Sequence, residues 1–152
     1  MTPGKIRSTV VAERISWIRE MIRSIQMLPL GRYDTFISDP RNVAAAESYL
    51  RRGIEALLDL GRHILAKGFA VAATEYKEIG SRLTEESVLS AEQGVLLRQI
   101  AGYRNRMVHF YHEITHKELY LLCTQNLKDV EAILEALLKW LHHNPEKLDQ
   151  KI

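Results

Sequence analysis

Ile15, Ile18, Ile22 and Ile25 recur at spacings of three and four, and that spacing fixes what the first part of the chain can become. Each residue of an α-helix advances about 100°, so these isoleucines form one apolar stripe. Arg7, Arg14, Arg19 and Arg23 fall mostly outside it. The pattern predicts a helix from about Ile6 to Leu28, ended by Pro29 and Gly31.

Three further segments read the same way, and strand patterns are hard to find. Asp39-Pro40 is an N-cap followed by proline at the first helical position, opening a helix that runs to about Lys67 with Gly68 as its stop. Val43, Leu50, Ile54, Leu57, Leu58, Ile64 and Leu65 supply its buried side. Gly53 and Gly61 lie near one face, where close helix approach is the plain explanation. Residues 69 to 89 are less regular. Thr74 to Ile79 reads as a short helical turn broken by Gly80-Ser81, and the region fits either a rim or a partner-binding surface. Ser90 with Gln93 forms a capping box that starts a third helix, with Val95, Leu96, Ile100 and Met107 inward. Thr115 with Glu118 forms another. It starts a long fourth helix through Leu119, Leu122, Leu127, Val130, Ile133, Leu134, Leu137 and Leu141, ended by Asn144-Pro145, with a loose tail to Ile152.

These segments predict an all-α fold, an antiparallel four-helix-type bundle with room for one extra short helix. A chain of 152 residues suits one domain, with its core over about 5–143, and 46% apolar residues suffice for that core. The formal net charge of +2 is too small to signal non-specific nucleic-acid binding, so the placement of charge must carry that argument. No stretch has the length of a membrane span, and the first residues lack a signal-peptide apolar run, so a cytoplasmic protein is expected. Cys123 is the single cysteine and sits among leucines, which reads as a small core residue.

The chemistry concentrates in Arg104-Asn105-Arg106-Met107-Val108-His109-Phe110-Tyr111. A guanidinium, an amide, an imidazole and a phenol cost free energy to bury without partners, so they face water or converge on an anion. Taken singly, each has a plain reading: Arg104 and Arg106 as surface charges, His109 as a satisfied interior histidine, Tyr111 as a core-edge aromatic. The combination suits RNA cleavage without a metal. An imidazole moves a proton to or from the ribose, a guanidinium binds phosphate and developing charge, and an amide orients either. The absence of a 2′-hydroxyl would exclude DNA. Asn105, His109 and His112 share a helix face, whereas Arg104 and His109 stand about 140° apart. The reach of the arginine, a bend near the helix end, or a partner chain across a two-fold axis would each reunite them. His109, His112 and His116 have helical spacing, but nothing completes a metal shell, so no metal or cofactor is expected.

The pattern Arg104-x4-His109-x-Tyr111, within Gly102 to Tyr111, resembles the HEPN superfamily and specifically the HepT-like toxins. The run Ile114-Thr115-x-x-Glu118-Leu119-Tyr120 is similar to the family's passage into its last helix. The resemblance covers roughly residues 5 to 143 in helix order and is strong over about 98 to 121. It implies a dimerising all-α bundle whose motifs line a shared cleft. It also implies a metal-independent endoribonuclease toxin and a neighbouring MntA-like nucleotidyltransferase antitoxin that adds AMP to the motif tyrosine. On this chain the resemblance makes Arg104 and His109 catalytic, Asn105 assisting and Tyr111 the AMPylated residue; Arg106 and His112, beside them, are read as weak RNA contacts. The competing readings are a non-catalytic docking partner of a minimal nucleotidyltransferase and a helical adaptor without chemistry.

Overall fold

A computed structural model of the chain describes residues 3–109 and 113–152. Among these the elements are α1 (Ser8–Gln26), α2 (Tyr33–Ile37), α3 (Pro40–Phe69), α4 (Tyr76–Glu85), α5 (Ala91–His109), α6 (His116–Thr124) and α7 (Leu127–His143), then a 3-10 turn at Pro145–Lys147. The described residues are all-α and build a helical bundle, as the periodicity predicts. No described helix is long and apolar enough to cross a membrane.

The bundle is organised around α3. Asp39 caps it by accepting the Arg41 N–H at 2.9 Å, with Pro40 at its first position. Leu57, Leu58, Leu60, Ile64 and Leu65 are fully buried, and α3 packs against α1, α2, α4, α5, α6 and α7. Gly53 and Gly61 do mark close approach. A Cβ on Gly53 would lie 3.3 Å from Met21 Cβ, and one on Gly61 2.9 Å from Ile79 Cγ2.

Several expected boundaries move. Gly68 does not stop α3; it lies under Ile6, whose Cδ1 would be 3.1 Å from an added Cβ, and Ala70 takes the left-handed turn at φ 55° instead. The helix α2 is too short to show a period and is held by rings, with Tyr33 and Phe36 packing on Tyr120 at 5.3 and 5.5 Å. Val95 is 59% exposed rather than inward, because Leu97, Ile100 and Ala101 set the buried face of α5. The long fourth helix is two, α6 and α7. Thr124-Gln125-Asn126 has nothing to bury, and its side chains bond locally: Thr124 Oγ donates to Tyr120 O at 2.8 Å and Asn126 Nδ2 to Asp129 Oδ2 at 3.2 Å. Cys123 is buried, and burial pushes its thiol up to about 12, so it remains a protonated core filler.

Gly80-Ser81 does not break helix either. Residues on both sides belong to α4, and Gly80 lies against Gly94 of α5. A Cβ on Gly80 would come 2.3 Å from Gly94 O, and one on Gly94 2.1 Å from Thr84 Oγ1. The two backbones therefore meet where neither residue has a side chain. The Ser90–Gln93 capping box then starts α5, with reciprocal bonds of 2.9 and 3.1 Å.

The tail is tied down rather than loose. Ile6 N–H donates to Lys147 O at 2.8 Å and Asp149 N–H donates to Ile6 O at 3.0 Å. Leu148 is buried. Asp149 caps α1 from the other end of the chain, accepting the Ser8 N–H at 2.9 Å. Beside this latch the neutral His63 Nε2 accepts the Arg7 N–H at 3.0 Å.

Replacing Gly80 with alanine forces α4 away from α5 and destabilises the fold by about 1–3 kcal/mol in urea titration, the cost of overpacking a site that cannot relax. The latch weakens in acid. Burial, followed by the nearby Lys67, Arg7 and Arg14 charges, lowers the pKa of His63. The Ser8 backbone and side-chain bonds lower that of Asp149. In both cases the unfolded chain takes the proton first. Stability is therefore full above the unfolded value and falls as pH drops through the folded one: first for His63, below about 6.5, and then for Asp149, below about 3.9. Melting temperature against pH, with His63→Gln losing the upper step and Asp149→Asn the lower, measures both.

Candidate functional site

The C-terminal half of α5 turns polar between Tyr103 and His109, and α3 opposes it with an unusual feature. Along this largely buried helix, Glu47, Arg51, Glu55, Asp59 and Arg62 follow one another at spacings of four, four, four and three. They form a single charged stripe. Arg51 bonds Glu47 at 3.3 Å and Glu55 at 3.1 Å, and Arg62 Nη1 stands 3.7 Å from Asp59. The third wall is the start of α4. Glu75 and Glu78 form its capping box, with Glu78 accepting the backbone N–H groups of Thr74 and Glu75 at 2.6 and 3.2 Å. Arg62 braces the same segment by donating to Ala73 O at 2.9 Å and Thr74 O at 3.2 Å. Residues 69 to 89 thus supply a wall of the cleft.

These walls enclose a cleft of about 360 Å³ lined by Arg62, Thr74, Glu75, Tyr76, Lys77, Arg104, Asn105 and His109. Arg104, Asn105 and His109 therefore line one cleft within a single chain. The arginine leans across the angular gap: Arg104 Nη1 donates to Asn105 Oδ1 at 3.2 Å, and Asn105 stands one turn before His109 on the same helix face. Arg104 Nε is 3.7 Å from Glu55 Oε1, and its guanidinium carbon is 4.8 Å from the centre of the Tyr76 ring. The Arg104 side chain is only 19% exposed, whereas His109 sits at the exposed rim.

The Tyr76 ring is itself fixed. Its hydroxyl donates to Asp59 Oδ1 at 3.0 Å, and the Arg62 guanidinium stands 4.7 Å from the ring centre. Burial first, and then the bond to Asp59, raise the phenol above the ordinary tyrosine value, so it remains a neutral donor. Neither Tyr76 nor Glu55, Asp59 and Arg62 stood out in the sequence. The three charged residues had a signal in the charge stripe inside the apolar pattern of α3, and Tyr76, on α4, had none.

Arg106 does not line this cleft. It forms a two-pronged ion pair with Glu118, at 2.5 and 3.1 Å, and donates to Glu113 O at 3.2 Å, joining the end of α5 to the start of α6. This also explains half of the Thr115–Glu118 box: Thr115 Oγ accepts the Glu118 N–H at 3.0 Å, while the Glu118 carboxylate faces Arg106. Tyr111 and His112 lie outside the described residues. A wider groove of about 660 Å³ between α3, α5 and α6 is mostly apolar, lined by Val43, Ala44, Met107, Val108 and Leu119 among others. It lacks the Arg104 and His109 pair.

The family described as Ribonuclease HepT-like matches residues 15–137. No curated protein matches the sequence. Among solved structures, a tri-AMPylated HEPN toxin of Shewanella oneidensis in complex with its MNT antitoxin is similar with a TM-score of 0.77 at 21% identity, covering 86% of this chain and 97% of that one. A toxin–antitoxin complex with AMP-PNP gives 0.76 at 20% identity, covering 84% and 97%. A cytosolic protein of unknown function from Bacillus subtilis, YutE, gives 0.71 at 18%, covering 88% and 90%. At these identities the likeness speaks for the fold, and the match over residues 15–137 speaks for the lineage. The chain belongs to the Ribonuclease HepT-like family.

Proposed function

We propose that this chain is a metal-independent endoribonuclease acting in the cytoplasm as the toxin of a toxin–antitoxin pair, with Arg104 and His109 as its catalytic residues and Asn105 assisting. The observation that carries the reading is that these three side chains line one open cleft. In this reaction the ribose 2′-oxygen attacks the adjacent phosphorus and gives up its proton to the His109 imidazole. The O2′–P bond forms and the P–O5′ bond breaks. The leaving oxygen takes up a proton, from solvent in the simplest case, and a 2′,3′-cyclic phosphate remains. Arg104 presents its guanidinium to the phosphoryl oxygens as their charge grows. Asn105 holds that guanidinium on the His109 side of α5. Arg106, paired with Glu118, acts on the fold rather than on RNA, and His112 is kept as a secondary contact.

The regulatory half of the proposal rests on family membership. A nucleotidyltransferase antitoxin transfers AMP from ATP to the Tyr111 hydroxyl and releases pyrophosphate. The adduct would add a phosphate and a base two positions from His109, where substrate must lie. A homodimer belongs to the proposal on the ground of family membership alone, because Arg104 and His109 line one cleft within a single chain.

Purified protein should cleave labelled single-stranded RNA in EDTA. His109→Ala should lower the rate about 10²–10⁴-fold, the usual share of a positioned general base. Arg104→Ala should lower it about 10²–10³-fold, the usual share of a transition-state donor. Cleavage that survives both changes removes the site assignment. Incubation with the cognate nucleotidyltransferase and ATP should add AMP at Tyr111 and abolish cleavage, and mass spectrometry of Tyr111→Phe should show that adduct missing.

A further inference from the structure

Arg104 must be held in place and yet keep its donors free. A carboxylate would do the first at the expense of the second, because a salt bridge neutralises the guanidinium and occupies its fork. Glu55 is a poor candidate for the holding role. Its Oε1 is nearer to Arg51, at 3.1 Å, than to Arg104, at 3.7 Å. Arg104 Nε is buried and makes no hydrogen bond among the described residues. Asn105 occupies one N–H of Nη1.

An aromatic face satisfies both demands. It attracts a cation through its quadrupole and consumes no N–H donor. Tyr76 offers that face to Arg104 at 4.8 Å. The ring is anchored at its far end by the bond to Asp59, and its backbone starts a capped helix braced by Arg62. The Gly80–Gly94 contact sets the distance between α4 and α5 one turn further on.

We propose that Tyr76 is a positioning residue for the ribonuclease reaction: its ring holds the Arg104 guanidinium in the cleft with the phosphate-binding donors free. The inference rests on the proposed function, and it makes the first turn of α4 part of the catalytic apparatus. Asp59 in turn fixes the ring. The substrate meets Arg104 and His109, while Tyr76 acts through Arg104.

The experiment pairs Tyr76→Leu, which removes the ring, with Tyr76→Phe, which retains it. In single-turnover cleavage of a short single-stranded RNA, Tyr76→Leu should lower the rate at saturating protein at least about tenfold, as expected of a displaced catalytic group. The concentration giving half-maximal rate should change less than about threefold. Tyr76→Phe should retain most of the rate. In an Arg104→Lys background the Tyr76→Leu change should lose most of its effect, because the pair acts as one unit. A full-sized effect in that background, an unchanged rate in Tyr76→Leu, or a rise confined to the half-saturation concentration would each overturn the proposal; the last would mean that the ring stacks on a base instead. The Arg104 Nε–H resonance gives a readout independent of activity. It should carry a ring-current shift in the unmodified protein and in Tyr76→Phe, and lose it in Tyr76→Leu. If the unmodified protein cuts no RNA while that shift behaves as expected, the ribonuclease reading fails and the ring contact stands. If the protein cuts RNA and the shift is missing, the Tyr76 role fails alone.

Discussion

The site depends on a charged stripe carried by a helix that is otherwise buried. A helix wrapped by six neighbours would ordinarily be apolar all round. Here α3 retains Glu47, Arg51, Glu55, Asp59 and Arg62 on one line, and each is half-buried. Charges in such a place must be paired or must open to water. Part of the stripe pairs with itself, and the rest reaches outward: Glu55 to Arg104, Asp59 to the Tyr76 hydroxyl, Arg62 to the backbone before α4. Of this line Arg62 borders the cleft, and Asp59 anchors the Tyr76 ring beside it.

Two close approaches make that arrangement rigid. Gly61 brings α4 onto α3 against Ile79, and Gly80 with Gly94 brings α4 onto α5. The wall bearing Tyr76 is therefore fixed from two sides, and the guanidiniums of Arg62 and Arg104 share its ring. At the opposite end the terminal latch joins residues far apart in the chain, through Ile6 with Lys147 and Ser8 with Asp149. It secures the start of α1, whose own N-cap residue, Arg7, has no side-chain oxygen to offer.

Much of the bundle was legible because burial repeats with the helix period. The isoleucine stripe gave α1, Asp39-Pro40 the start of α3, and Ser90 with Gln93 the start of α5. The departures arise where packing between distant segments overrides the local signal. Gly68 and Gly80 read as stops, since a glycine lowers local helix propensity. In the bundle each lies inside a helix because another segment needs the volume of the missing side chain: Ile6 at Gly68 and the α5 backbone at Gly80. Likewise Val95 looked buried by residue type, yet α5 turns Leu97, Ile100 and Ala101 inward and leaves it in water. The tail looked loose because nothing nearby in sequence binds it.

The sequence by itself determined the all-α class, the placement of most helices, and the segment in which a guanidinium, an amide and an imidazole fall within six residues. Those are properties of spacing, and spacing on a helix is geometry. It could not decide whether Arg104 and His109 line one cleft, because a helix alone sets them about 140° apart. That depended on where a flexible arginine settles, and it settles beside Asn105, 3.7 Å from Glu55 on α3 and against the Tyr76 ring on α4. Two of these three belong to helices distant in the chain, and only packing brings them within reach.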